Sequence, residues 1–313
     1  MRQIEDRYIS LLTDFGFKRI FGTAPNKELL ICFLNSLFDG KQVVKDVKYL
    51  NSEHLGEGYA DRKAIFDVYC EGENGEKFIV EMQNAYQEFF KDRSLFYSTF
   101  PIREQAVKGS NWDFKLNHVY TVALLNFDMK EEAFDADALC HFVKLCDTAT
   151  HRVFYEKLDF IYVEIAKFEK TEEELVTLYD KWLYVLKNLS TLNNRPKALR
   201  DKVFDRLFEE AEIARFTPRE LREYEDSRKA YRDLKNSLDT AMRQGHEKGH
   251  AEGLAEGLAQ GREEGLVRGR EEGLVQGREE GLLQTAKNLK AMGLSDTDIQ
   301  QATGLSMKVI AAL

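Results

Sequence analysis

The chain has 313 residues, 43% of them hydrophobic and 12% aromatic, enough to bury one large core or two modest ones and too apolar for a disordered chain. A net charge of −9 and an isoelectric point near 5.4 exclude a surface that grips nucleic acid over its whole extent by neutralising phosphates, so any basic surface is local. No apolar run reaches the length of a membrane span, and Met1 to Ser10 lacks the basic, apolar, small-residue order of a secretion signal, which predicts a cytoplasmic protein without membrane contact.

In chain order, Phe17, Ile20 and Phe21, then Leu29, Leu30, Phe33, Leu34 and Leu37, recur at helical spacing, with Pro25 marking a break between two helices. An alternating stretch from Val43 to Leu50 and a loop at Gly56 to Gly58 lead to two compact runs, Ala64 to Cys70 and Phe78 to Met82, on either side of Glu73-Asn74-Gly75. This is a hairpin signature. A helix from about Gln87 to Val107 follows, then a buried strand from His118 to Phe127 and two further strand-like runs, His141 to Cys146 and Leu158 to Ile165. From Glu172 the pattern turns helical, with Leu175, Leu178, Trp182, Val185, Leu186 and Leu189 in one stripe. The four cysteines, Cys32, Cys70, Cys140 and Cys146, lack a C-x-x-C spacing and read as reduced core residues without zinc or disulfides.

Thr217-Pro218 suits an N-cap and first-turn proline. From Gly245 to Gly281 a glycine then recurs at every fourth position. On a helix each four-residue step advances about 400°, so the glycines form a groove drifting about 40° per repeat, in the right-handed sense. Two such helices could approach closely, whereas the helix-weakening effect of glycine equally fits a flexible linker. The tail from Thr285 reads as three short helices, with Ser295 and Asp298 as a capping box and Ser306 as a further cap. Their spacing suits a helix-turn-helix or a small bundle that caps an oligomer.

The chemistry is expected in the hairpin. Asp67 lies in an apolar run, where an unpaired carboxylate is strongly disfavoured. On the returning strand Glu81 and Gln83 share a face, because side chains alternate. A two-residue loop at Asn74-Gly75 would turn Glu81 away from Asp67; a three-residue loop, with Gly75 left-handed, sets Glu81 directly opposite it. Opposed carboxylates make sense when a cation lies between them, and magnesium, with manganese as substitute, suits two carboxylates completed by a carbonyl and waters. Asp14, beside Thr13, fits a further ligand or a helix cap, and Lys18 fits a phosphate contact or plain surface. His246-Glu247-Lys248-Gly249-His250 matches H-E-x-x-H formally, but its glycines make a poor scaffold for zinc. No phosphate-binding G-x-x-x-x-G-K-[ST] loop and no G-x-S-x-G elbow occurs, so no nucleotide cofactor is expected.

Thr13 to Lys18, Glu28 to Asn35, Phe66-Asp67-Val68 and Ile79 to Gln83, in this order, resemble the blocks of the recombination-promoting nucleases and PD-(D/E)XK nuclease family transposases. The charged stretch 217–234 and the glycine repeat resemble the tail of the same family. The resemblance implies an α/β fold: a restriction-endonuclease-like core with a mixed sheet, followed by an all-helical C-terminal extension. It implies a magnesium-dependent DNA endonuclease, with Asp67 and Glu81 as metal ligands and catalytic residues and Gln83 in the place usually held by lysine. Glutamine offers hydrogen bonds and no charge, and Lys91 or Arg93 in the next helix is placed to supply the missing cation. The alternative from another class is a catalytically weak DNA-binding or oligomerising protein on a nuclease scaffold. The expected divisions are a nuclease-like domain at 1–165, a helical extension at 166–243, the glycine arm at 244–283, which would join copies as a homodimer, and a terminal module at 284–313.

Overall fold

A computed structural model of the chain describes residues 6–54, 64–106 and 113–313; the glycine loop at 56–58 and the end of the predicted helix at Val107 lie outside them. The chain forms two compact units, Met1–Leu238 and Asp239–Leu313. Among the described residues no helix is long and apolar enough to cross a membrane.

The first unit is built on a six-stranded mixed sheet. Its strands are β1 (Val47–Tyr49), β4 (Val68–Gly72), β5 (Lys77–Gln83), β6 (Val119–Leu125), β7 (Cys140–Cys146) and β8 (Val153–Glu164), in the spatial order β1-β4-β5-β6-β8-β7. β4 and β5 are antiparallel, β5, β6 and β8 run parallel, and β7 returns antiparallel at the edge. A separate two-stranded ladder joins β2 (Glu53–His54) to β3 (Ala64–Ile65).

The run from Ala64 to Cys70 is therefore not one strand. It bends at Phe66-Asp67, and its two ends pair with different partners. The unbroken apolar character of this run hides the bend, because Phe66 enters a separate cluster with Tyr69 and Ile79.

Two helices, α1 (Asp14–Phe21) and α2 (Lys27–Phe38), cover one face of the sheet, and the proline break between them is a turn of 3₁₀ helix at Ala24–Asn26. Phe78, Val80 and Met82 point into this side. α4 (Leu178–Asn188) and α5 (Lys202–Ala211) pack into the same core, where Trp182 is fully buried against Phe21, Phe33 and Phe204. The stripe that begins at Leu175 becomes α-helical only at Leu178, where Thr177 and Asp180 form a capping box. On the opposite face α3 (Phe90–Glu104) packs Phe90 over Ala123, Leu125 and Tyr162. α3 lies in the crossover from β5 to β6, since parallel neighbours cannot be joined by a tight turn.

Thr217 caps α6 (Pro218–Ala291), a continuous helix of 74 residues that contains every glycine of the repeat. Its first turns bind the rest of the first unit through Tyr224, whose hydroxyl accepts from Ser10 N at 3.0 Å, and Arg228, which pairs with Asp6 at 2.7 Å. In the second unit the end of α6 packs with α7 (Asp296–Thr303) and α8 (Met307–Ala311) around Ala286, Ile299 and Ile310. The first of the three short helices expected in the tail is thus the end of α6. Cys146 is exposed, unlike the core cysteine expected.

The β4–β5 turn has the odd length that the site requires. Gly72 N–H donates to Glu76 O at 2.8 Å, leaving Glu73-Asn74-Gly75 as the loop, and Gly75 has φ +84°. Gly75→Ala forces an L side chain into the left-handed region and its Cβ to 2.6 Å from Asn117 Nδ2. It is expected to lower the unfolding free energy by about 1–2 kcal/mol in urea titration, while Asn74→Ala changes it by less than about 0.5 kcal/mol.

Candidate active site

The hairpin register is Val68↔Val80, Tyr69↔Ile79, Cys70↔Phe78 and Glu71↔Lys77. The ladder ends at Val68↔Val80, and Asp67, in the bend that follows, reaches back with its side chain to the amide of Met82, next to Glu81. Because Val68 and Val80 face the α1–α2 side, Glu81 and Gln83 belong to the α3 side, at the C-terminal end of β5.

Asp67 occupies the bend before β4, where its Oδ2 accepts a hydrogen bond from Met82 N at 2.9 Å. Its Oδ1 faces Lys18 Nζ at 3.9 Å. Burial raises the Asp67 pKa, against the Met82 N–H and the Lys18 charge, which lower it. Lys18 is held by Asp14 at 2.7 Å, one helical turn earlier. Thr13, not Asp14, is the N-cap of α1, accepting from Gly16 N at 3.1 Å. Asp14 is exposed and adds a negative charge near Asp67 through the lysine.

Glu81 is only 5% exposed. Its Oε2 accepts from Gln83 Nε2 at 3.1 Å and meets Arg93 Nη2 at 3.4 Å. Its Oε1 is buried with no hydrogen-bond partner among the described residues. Desolvation pushes the Glu81 pKa up to about 8; Arg93 opposes this and the neighbouring Asp67 adds to it.

Arg93 joins the polar groups on the helix to those on the strand. Its Nη1 donates to Gln83 Oε1 at 3.3 Å and to Gln87 Oε1 at 2.9 Å, and its guanidinium lies over Tyr97 at 4.9 Å. Gln83 is thereby oriented at both ends, accepting from Arg93 and donating to Glu81. Lys91 is directed elsewhere, to Glu131 at 2.7 Å. The structure thus gathers Asp67, Glu81, Gln83, Arg93 and Lys18, holds Asp14 at the rim and leaves Lys91 out. Gln87 and the Met82 amide were not anticipated from the sequence; the spacing of Gln87 six residues before Arg93 gave no distinctive signal.

The donor set fits a divalent cation. Glu81 Oε1 is a buried carboxylate oxygen without a hydrogen-bond partner among the described residues, and Asp67 Oδ1 faces Lys18 Nζ only at 3.9 Å; a hard cation that takes oxygen ligands would satisfy both. No group of three or more His, Cys, Asp or Glu side chains able to hold a metal occurs among the described residues. Among the described residues, Asp67 and Glu81 are the carboxylates that the hairpin brings together.

This fold agrees with the comparison to known families. The family model described as PD-(D/E)XK nuclease family transposase matches residues 11–241, and the chain belongs to that family. No curated protein and no solved structure matches it.

Without metal, the native state holds a proton on Glu81 between pH 4.5 and about 8 that the unfolded chain has released. Stability therefore falls as pH rises through that window, by up to about 1 kcal/mol per pH unit, and levels off above it. In EDTA, Glu81→Gln is expected to become progressively more stable than wild type as pH rises from 5 to 8. A stability difference that does not change with pH would remove the buried, protonated Glu81 from the account.

Proposed function

We propose that the chain is a divalent-metal-dependent DNA endonuclease, most simply with Mg²⁺, or with Mn²⁺ in its place, that hydrolyses phosphodiester bonds at the Asp67–Glu81 pair and promotes recombination through the breaks it makes. The observation that carries this reading is the buried Glu81 Oε1 with no partner, set across the hairpin from Asp67. A cation there supplies Lewis-acid stabilisation of the scissile phosphate and lowers the pKa of an attacking water.

The residues divide the remaining work. Asp67 and Glu81 hold the metal. The Met82 amide fixes one Asp67 oxygen so that the other is free to coordinate. Gln83 contributes hydrogen bonds where a lysine would contribute charge, and Arg93 brings the charge from α3. A lysine at position 83 would set a second cation against Arg93, so glutamine and arginine make a consistent pair. A guanidinium also offers a planar set of donors suited to phosphate oxygens. Lys18, on the Asp67 side, is the second group in reach of phosphate.

The test is nicking of supercoiled plasmid by the full chain in Mg²⁺, Mn²⁺ or EDTA. Asp67→Ala and Glu81→Ala are expected to abolish nicking, and Arg93→Ala to slow it by about 10²-fold or more. Cleavage that is equal in all variants would overturn the reading, and absence of cleavage in any metal would favour a DNA-binding scaffold.

The glycine arm is read as a homo-oligomerisation helix, most simply of a dimer. Ten glycines, Gly245 to Gly281, have open space where a Cβ would lie, and Leu254, Leu258, Leu266 and Leu274, each following a glycine, are exposed. Each interior glycine costs about 1 kcal/mol relative to alanine, so the helix gains from a partner, and a second copy offers the same close-approach stripe. The stripe drifts through about one full circuit over the arm, so the partner must coil around it in the right-handed sense. Two joined copies would bring two sites to the two strands of one duplex. Gly261→Leu combined with Gly265→Leu is expected to shift sedimentation velocity toward the monomer; an unchanged mass would contradict this role for the arm.

A further inference from the structure

The helix that supplies Arg93 carries a feature that metal binding does not use. Phe89, Arg93 and Phe96 are spaced four and three residues apart, on one face of α3 and its first turn. Phe89 is 68% exposed and Phe96 43%. Single exposed apolar side chains are ordinary, but a cluster of them marks an interaction surface. Phe89, Arg93 and Phe96, together with Glu88, Asp92 and Tyr97, are among the residues that line an open groove of ≈490 Å³. Arg93 is its shared wall: the guanidinium that touches Glu81 and Gln83 also lies over Tyr97.

The chemistry of the lining selects the occupant. Glu88 and Asp92 are exposed and have no ion-pair partner among the described residues, and Arg93 is the only cation among the described residues of the lining. Two free carboxylates repel a phosphate chain, so the groove does not track the backbone. A flat, neutral ring is suited to it, stacked on phenylalanine with its exocyclic amine donating to a carboxylate. Continuity with the carboxylate pair through Arg93 places that ring beside the phosphate to be cut.

We propose that this groove takes an unstacked base of the cleaved strand, next to the scissile phosphate, and prefers bases with an exocyclic amine over thymine. The proposal rests on the nuclease reading for the identity of the strand and deepens it. The preferred substrates are then DNA with unpaired nucleotides, such as single strands, gaps and bulges, because a base within an intact duplex must first be unpaired and unstacked.

Binding is measured with the full chain in EDTA, using fluorescein-labelled oligo(dC) and oligo(dT) and a single strand carrying one 2-aminopurine. Wild type is expected to bind oligo(dC) more tightly than oligo(dT) and to change the 2-aminopurine fluorescence. Phe89→Ala combined with Phe96→Ala is expected to weaken oligo(dC) binding by about tenfold or more and to remove the fluorescence change. Asp92→Ala combined with Glu88→Ala, which removes both acceptors, should erase the preference for oligo(dC) while retaining oligo(dT) binding. No single-strand binding by wild type, equal affinities for wild type and the phenylalanine variant, or a loss of self-association in that variant would each overturn the proposal; the last would make the groove a contact between copies. Because this assay needs no cleavage, the two readings fail separately. Phenylalanine-dependent binding without metal-dependent nicking refutes the nuclease and supports the groove, and nicking with phenylalanine-independent binding refutes the groove alone.

Discussion

The register between β4 and β5 is the constraint on which the candidate site depends. With three residues in the turn and Gly75 in the left-handed region, Val68 pairs with Val80, and the next residue, Asp67, comes to the end of the ladder beside Glu81. A slip of one residue would turn Glu81 into the face occupied by Phe78, Val80 and Met82 and bring an apolar neighbour to Asp67 instead. The α1–α2 core makes that slip costly, since it would bury carboxylate and expose three large side chains. The hydrophobic core thus fixes the position of the polar site, and a glycine turn of the right length permits it.

That register creates an electrostatic conflict which the neighbouring groups resolve only in part. Glu81 is buried beside a second carboxylate, and its pKa is pushed up to about 8. Gln83 and Arg93 satisfy one of its oxygens and leave the other bare. Burial favours a proton on Glu81 in the free protein, and a cation held there, as proposed, would have to displace it, linking metal binding to proton release. The absence of lysine at position 83 is consistent with this arrangement. The positive charge sits on the crossover helix, where Arg93 contacts the strand's glutamate and glutamine together and also walls the aromatic groove.

Much of this was legible in the sequence because it rests on local rules. Alternation put Glu81 and Gln83 on one face, and the need to bring Glu81 to Asp67 selected an odd-length turn over the two-residue Asn74-Gly75 loop, as observed. The Thr217-Pro218 start of α6 and the Ser295 cap of α7 followed from capping chemistry. What escaped depended on partners distant in sequence. The bend at Phe66-Asp67 arises because β3 pairs with β2 and β4 with β1, which a uniformly apolar run cannot reveal. Lys91 and Arg93 looked equivalent on paper; Glu131, forty residues away, draws Lys91 off. The exposed Phe89 and Phe96 were hidden within a helix whose apolar residues would ordinarily be assigned to the core. The glycine repeat left helix and linker open, since propensity argues against the continuous helix that forms.

Whether Asp67 and Glu81 together hold one divalent ion, as proposed, is decided by Mn²⁺ titration followed by electron paramagnetic resonance. The account predicts one bound Mn²⁺ per chain, competed by Mg²⁺, tighter at pH 8 than at pH 6, and lost in both Asp67→Ala and Glu81→Ala. Binding that survives either substitution unchanged, or that does not depend on pH, would contradict it.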